Sequence, residues 1–203
     1  MPGLPLEPGA SDIIEALRGA TRSRHAMVAS LPAMLRLFAA DYGISEYRTH
    51  LGRLLGIFEP LECAVAKAAV PEDLACGLHR SRDLREDLLV MGATEIDLAA
   101  LERCPRPPPI PTAGLGGYTY VVLGSMLGGR IIVKQLRTVL GPAASFRFYG
   151  GGNIRYELSW ASFCSDLEKN RRNDVAAICA TAVGIFDAYA AWLSEPLLRD
   201  GSR

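Results

Sequence analysis

The sequence predicts an all-α fold built as one helical bundle, and three observations carry that prediction. Apolar residues recur at three- and four-residue spacing over several long stretches, and capping residues stand at the heads of those stretches. No run alternates apolar and polar residues as a half-buried strand would. At 203 residues the chain is long enough to bury one sizeable core. The expected organisation is a helical domain over residues 11–195, with flexible ends at 1–10 and 196–203.

The elements follow in order. Ser11 and Asp12 can cap a first helix, with Glu15 placed for a capping box, and Ile14, Leu17, Thr21, His25 and Val28 fall on one face. That phase puts His25 on the buried face. Ser45 can cap a second long helix that turns Tyr47, Leu51, Leu54, Leu55, Phe58 and Leu61 inward, with Pro60 kinking it or ending its first part. His50 falls on its outer side. A polar helix around Arg82 to Met91 follows, with Glu86 and Asp87 on exposed ground, and then a short helix opened by Thr94 and Asp97. The cluster CPRPPPIPT, Cys104 to Thr112, can be neither helix nor central strand. Neither half of the chain closes its own core, so this stretch is a surface crossing within one domain. A further helix runs from about Ala113 to Leu140 and stops at Gly141-Pro142. SFRFYGGGNIR reads as a loop, in which YGGGN is a flexible turn without the lysine and hydroxyl residue of a phosphate-binding loop. Helices near Tyr156 to Lys169 and Asn173 to Leu193 finish the chain.

Charge and cysteine content exclude several classes. Lysine plus arginine (22) balance aspartate plus glutamate (22), so no overall field favours nucleic acid or an anionic membrane. The five cysteines are odd in number, scattered and never spaced C-x-x-C, which fits reduced thiols in a cytoplasmic protein and neither a disulfide framework nor a zinc site. MPGLPLEPGAS lacks the basic start and apolar run of a signal peptide. The apolar stretch from Val175 is alanine-rich and carries Asp187, so it reads as a buried helix and not a membrane span.

One stretch conflicts with its own helical pattern. YVVLGSMLGGRIIVKQL, Tyr120 to Leu136, holds Gly124, Gly128 and Gly129 in its interior, and each glycine costs a helix about 1 kcal/mol relative to alanine. Two things can offset that: a G-x-x-x-G packing face from Gly124 to Gly128, or the close approach of a flat ligand. His25 is the other candidate, since an imidazole on an apolar helix face either hydrogen-bonds quietly or binds a metal. Arg22 and Arg18 precede it by three and seven residues on nearly the same side. They are either a solvated basic edge or cations at the rim of an apolar slot, an arrangement that suits an iron porphyrin with its propionates outward. Ser125 would be the polar side chain nearest the glycines, and Tyr120 either bonds a propionate or is core. His79 lies in a polar, arginine-rich stretch and reads as surface.

Three segments, LRGATRSRH ending in His25, YVVLGSMLGGRII from Tyr120 and SFRFYGGGNIRYELSWASF from Ser145, resemble the heme oxygenase family, in the bacterial branch found beside bacteriophytochromes. The resemblance implies a single helical domain in which heme is both cofactor and substrate. Oxygen and electrons from a donor such as ferredoxin or a reductase would open it to biliverdin, carbon monoxide and ferrous iron, and a bacteriophytochrome would receive the biliverdin. It further implies that His25 is the proximal iron ligand, that Gly124, Gly128 and Gly129 form the distal helix kink beside Ser125, and that Arg18 and Arg22 neighbour the propionates. The chain departs from the family pattern at Ala29 and Leu123, where members often carry a carboxylate, and at Ser125, where animal members carry an aspartate. Bacterial members commonly do without that aspartate, and it is Ala29 and Leu123 that favour the alternative of a heme-binding sensor or carrier without turnover. A third reading is a helical interaction module that has lost heme.

Overall fold

The computed structural model describes residues 12–68, 79–152, 156–169 and 174–195, and every regular element among them is helical. In chain order the helices are α1 (Asp12–Ala29), α2 (Pro32–Leu35), α3 (Ile44–Lys67), α4 (Arg80–Val90), α5 (Glu95–Ala100), α6 (Leu115–Leu140), α7 (Arg147–Gly150), α8 (Tyr156–Lys169) and α9 (Val175–Ser194). Single 3-10 turns stand at Arg36–Phe38, Thr112–Gly114 and Gly141–Ala143. Ser11 of the expected first cap lies outside the described residues.

Helix α3 is the spine of the fold. Tyr47, Leu51, Leu54, Leu55, Phe58 and Leu61 are buried as their spacing requires, but His50, Arg53 and Glu62 are buried as well. Residues 50–58 are all buried, so the middle of this helix has no outer face and the expected surface position of His50 is wrong: it is 6% exposed, and its Nε2 lies 2.6 Å from the Tyr149 hydroxyl. The helix begins after Gly43, whose N–H donates to the Glu46 carboxylate at 3.0 Å, so Ser45 sits inside the first turn and is not the cap. It also runs straight through Pro60 to Lys67. Proline has no N–H to give the carbonyl four residues back. The Cys104 N–H takes that place, donating to the Gly56 carbonyl at 2.8 Å. Gly56 makes the approach possible, because a Cβ there would lie 2.5 Å from the Glu102 carbonyl oxygen.

Thr94 and Asp97 form the expected capping box of α5. Residues 104–111 cross without helix, and Ile110 is buried beneath them. Helix α6 ends where Gly141 takes a φ of +66°, a conformation open to glycine. Near its start it meets α9 backbone to backbone: a Cβ at Gly117 would lie 2.2 Å from the Ile178 carbonyl oxygen. Helix α9 is long and apolar enough to cross a membrane by length and composition, yet it packs against α1, α3 and α6, and Asp187 pairs with Arg24 at 3.3 Å. A second apolar cluster joins Ile14 and Leu17 of α1, Leu123 and Met126 of α6, Phe163 and Leu167 of α8, and Ile178 and Ala182 of α9. Burial of each large side chain there is worth about 2 kcal/mol.

The segment after α6 departs from the expected loop. Arg147–Gly150 form one helical turn, α7, because a buried carboxylate on α4 holds it. Asp87, fully buried, accepts from the Ser145 hydroxyl at 2.5 Å, the Arg147 N–H at 2.8 Å and the Phe148 N–H at 2.9 Å. The expectation that Asp87 is exposed is therefore overturned: it answers N–H groups at a helix start. Glu86 remains half-buried and pairs with Arg82 and Arg147. His79 is exposed, with Nδ1 3.4 Å from Glu62.

Candidate functional site

The glycines of α6 divide by position around the helix. Gly124 and Gly128 share a face, whereas Gly129 is turned about 100° from Gly128. Nothing lies within 4 Å of a Cβ placed at Gly124 or Gly128. The G-x-x-x-G packing alternative therefore fails among the described residues, since no neighbouring helix covers that face. Gly129 is buried, and a Cβ there would lie 2.4 Å from the Tyr149 carbonyl oxygen, so close packing on α7 accounts for it. The open strip continues to Ile131, which is 51% exposed. Ser125 is also exposed, but its hydroxyl donates to the Val122 carbonyl at 2.7 Å. That bond commits the side chain to its own helix.

Helix α1 carries the other half of the site. Ile14, Leu17 and Thr21 are buried at 1%, 0% and 2% exposure, and His25 is next on the same stripe. The expectation that His25 is buried is corrected, because its side chain is exposed. The helical phase is right, but the stripe leaves the core after Thr21. The imidazole meets the Phe186 ring of α9 edge-on, with centroids 6.0 Å apart, and has no hydrogen-bond partner among the described residues. Both ring nitrogens are available to a ligand.

Thr21 and Tyr120 tie the halves together, with their hydroxyls 3.4 Å apart. Each stands one turn before its candidate: four residues separate Thr21 from His25 and Tyr120 from Gly124. Tyr120 is half-buried, and its ring lies 6.0 Å from that of Trp160. Arg18, a turn before Thr21, has a buried Nη1 without a hydrogen-bond partner among the described residues. An unmet guanidinium donor costs about 1–3 kcal/mol and is satisfied by an anion. Arg22 is exposed. The sequence reading missed Phe186 and the Arg24–Asp187 pair, because an apolar run and a surface charge carry no signal of what they will face.

These residues fit heme. The open glycine strip admits a flat ring, the free imidazole can take an axial position on iron, and the orphaned Arg18 nitrogen suits a propionate. Among the described residues no three His, Cys, Asp or Glu side chains cluster to hold a bare metal ion. A shallow recess lined by Arg137, Gly141, Pro142, Ala144 and Phe146 lies at the far end of α6 and takes no part.

Comparison with known proteins agrees. A family profile described as heme oxygenase matches residues 11–195. No curated protein matches the sequence. Among solved structures, a heme oxygenase from Leptospira interrogans superposes with a TM-score of 0.69 at 18% identity, covering 91% of this chain and 99% of that one. A heme oxygenase from the cyanobacterium Synechocystis, solved in complex with heme, gives a TM-score of 0.68 at 17% identity, covering 90% of this chain and 91% of that one. At such identities the superpositions establish the all-α fold, and the profile, spanning most of the chain, establishes the lineage. The chain belongs to the heme oxygenase family of heme-degrading enzymes.

Proposed function

We propose that His25 would hold the iron of a bound heme, which the protein opens to biliverdin, carbon monoxide and ferrous iron. When bound, heme supplies the iron at which oxygen is activated and is itself the molecule cleaved. The chain itself would bind and orient the ring. The unpartnered Arg18 nitrogen, with Arg22 beside it on the exposed side, would pair with the propionates and fix how the ring is turned in its plane. The strip at Gly124 and Gly128 presents backbone with no Cβ, so α6 can approach the ring face. Where that backbone lies then decides which ring edge reacts. Tyr120, in reach of Thr21, is the neighbouring hydroxyl available to a propionate.

Two observations support this reading: the His25 imidazole on α1 has no hydrogen-bond partner among the described residues, and the Gly124–Gly128 face of α6 has nothing within 4 Å, on two helices that touch through Thr21 and Tyr120. Ferredoxin or a reductase would supply electrons in the cytoplasm, and a bacteriophytochrome would be a recipient of the biliverdin. One observation favours a second reading, a heme sensor or carrier without turnover: the Ser125 hydroxyl proton is given to the Val122 carbonyl and is not available to donate to distal water.

The test is a hemin titration followed by aerobic reaction with ascorbate or ferredoxin. Wild type should develop a Soret band and then lose it as biliverdin forms. His25→Ala should lose tight ligation with helicity intact. An unchanged heme spectrum in that variant would overturn the ligand assignment. A persistent band in wild type would favour the carrier.

A further inference from the structure

The one-turn helix α7 is gripped from two sides. On α4, Asp87 accepts three hydrogen bonds from Ser145, Arg147 and Phe148. Arg80, 1% exposed, donates to the Phe148 carbonyl and places its guanidinium 4.9 Å from the Phe148 ring centre. On α3, His50 bonds the Tyr149 hydroxyl at 2.6 Å. A four-residue helix cannot hold itself in place. Its position is set by these partners, all of them buried.

The far side of α7 presses on α6. The Tyr149 carbonyl oxygen lies 2.4 Å from where a Gly129 Cβ would be, so backbone meets backbone with no side chain between to absorb a shift. The opposite condition holds one residue away: Gly128, like Gly124, has nothing within 4 Å. A glycine-bearing helix bends readily, and the backbone contact at Gly129 is one support of this segment, beside the buried Leu123 and Met126.

We infer that Asp87 is a positioning residue for the heme reaction, fixing through α7 and Gly129 where the backbone of Gly124–Gly128 lies against the ring. This rests on the reading of Gly124 and Gly128 as the heme-facing strip. Asp87 touches neither heme nor oxygen in this account. Its influence is on which ring edge is presented, and hence on which biliverdin isomer forms.

Asp87→Asn and the milder Ser145→Ala test it, with Gly129→Ala displacing the same contact from its other side. Two quantities are measured: amide hydrogen exchange in the heme-free proteins, and the biliverdin isomer ratio with ascorbate as reductant. Asp87→Asn should speed exchange over Gly124–Arg130 by about tenfold relative to α1. It should also change the isomer ratio severalfold, with Ser145→Ala following in the same direction and Gly129→Ala reproducing the shift while Asp87 is intact. Should Asp87→Asn not fold, Ser145→Ala decides alone. A role limited to holding the fold together predicts a lower Tm, exchange raised evenly along the chain and a wild-type isomer ratio, and that result overturns the inference. If wild type itself forms no bilin, the proposed function fails separately, and the exchange pattern still upholds or refutes the dependence of α6 on Asp87.

Discussion

Replacing Gly128 with leucine separates the two uses a helix can make of glycine. In the interior of α6, leucine improves helix propensity by about 1 kcal/mol. No atom lies within 4 Å of the new Cβ, so the overpacking penalty of about 1–3 kcal/mol that attends a filled site is absent at this first atom. The heme-free variant should therefore melt above wild type, by about 2–4 °C for a chain of this size. Gly129→Ala is the internal control. It gains the same propensity but drives a Cβ to 2.4 Å from the Tyr149 carbonyl oxygen, and should lose up to about 2 kcal/mol net. The assays are thermal melting by circular dichroism without heme, then hemin titration and turnover. Gly128→Leu should be stable yet poor in turnover, because its side chain occupies the face through which backbone meets the ring. A Gly128→Leu variant that melts several degrees below wild type would mean that the strip packs against protein. Full turnover in the same variant would remove Gly128 from the site.

Two further outcomes are expected. Truncating Arg18 and Arg22 to alanine together should weaken hemin binding and alter the biliverdin isomer ratio, while the heme-free Arg18→Ala protein melts no lower than wild type, since it sheds a buried donor with no partner. Unchanged affinity and isomer ratio in the double variant would reduce the arginines to a solvated edge. Burial pushes the His50 imidazole from 6.5 down to about 4, so between those pH values the unfolded chain binds a proton that the folded chain refuses. Stability should be complete above about pH 6.5 and fall by about 3 kcal/mol on approach to about pH 4. Burial raises Glu62 and Asp83, which act in the opposite sense, so the readout is the difference from His50→Gln. Identical pH–stability slopes in the two proteins would refute the assignment.

The helices were legible in the sequence because their apolar spacing and their stops are local. Leu115–Leu140 ends at Gly141 as read, and Thr94–Asp97 caps where it was placed. Faces were harder. The two-sided reading of α3 misplaced His50, because periodicity identifies the most apolar side and cannot tell that neighbours enclose the others as well. Asp87 was misread for a related reason: a charge near a helix C-terminus looks solvated, and its partners are backbone N–H groups some sixty residues away with no side-chain signature. His25 shows the converse error. Its phase was correct, but how far a buried stripe extends depends on where the partner helices lie, and that is not written in α1. The glycines were grouped by proximity in sequence, whereas a single residue step turns Gly129 from the open strip to the α7 contact.

The bond from Cys104 to the Gly56 carbonyl changes what the proline cluster means mechanically. Residues 104–112 read in the sequence as a surface crossing within one domain, although so proline-rich a stretch can also mark a domain boundary. Instead the connector begins by supplying the donor that Pro60 denies to α3, at a spot where Gly56 leaves space only for that strand of backbone. The two halves of the chain thus share a hydrogen bond that neither could complete alone. The stretch that separates the halves in sequence is fastened to α3 at its first residue.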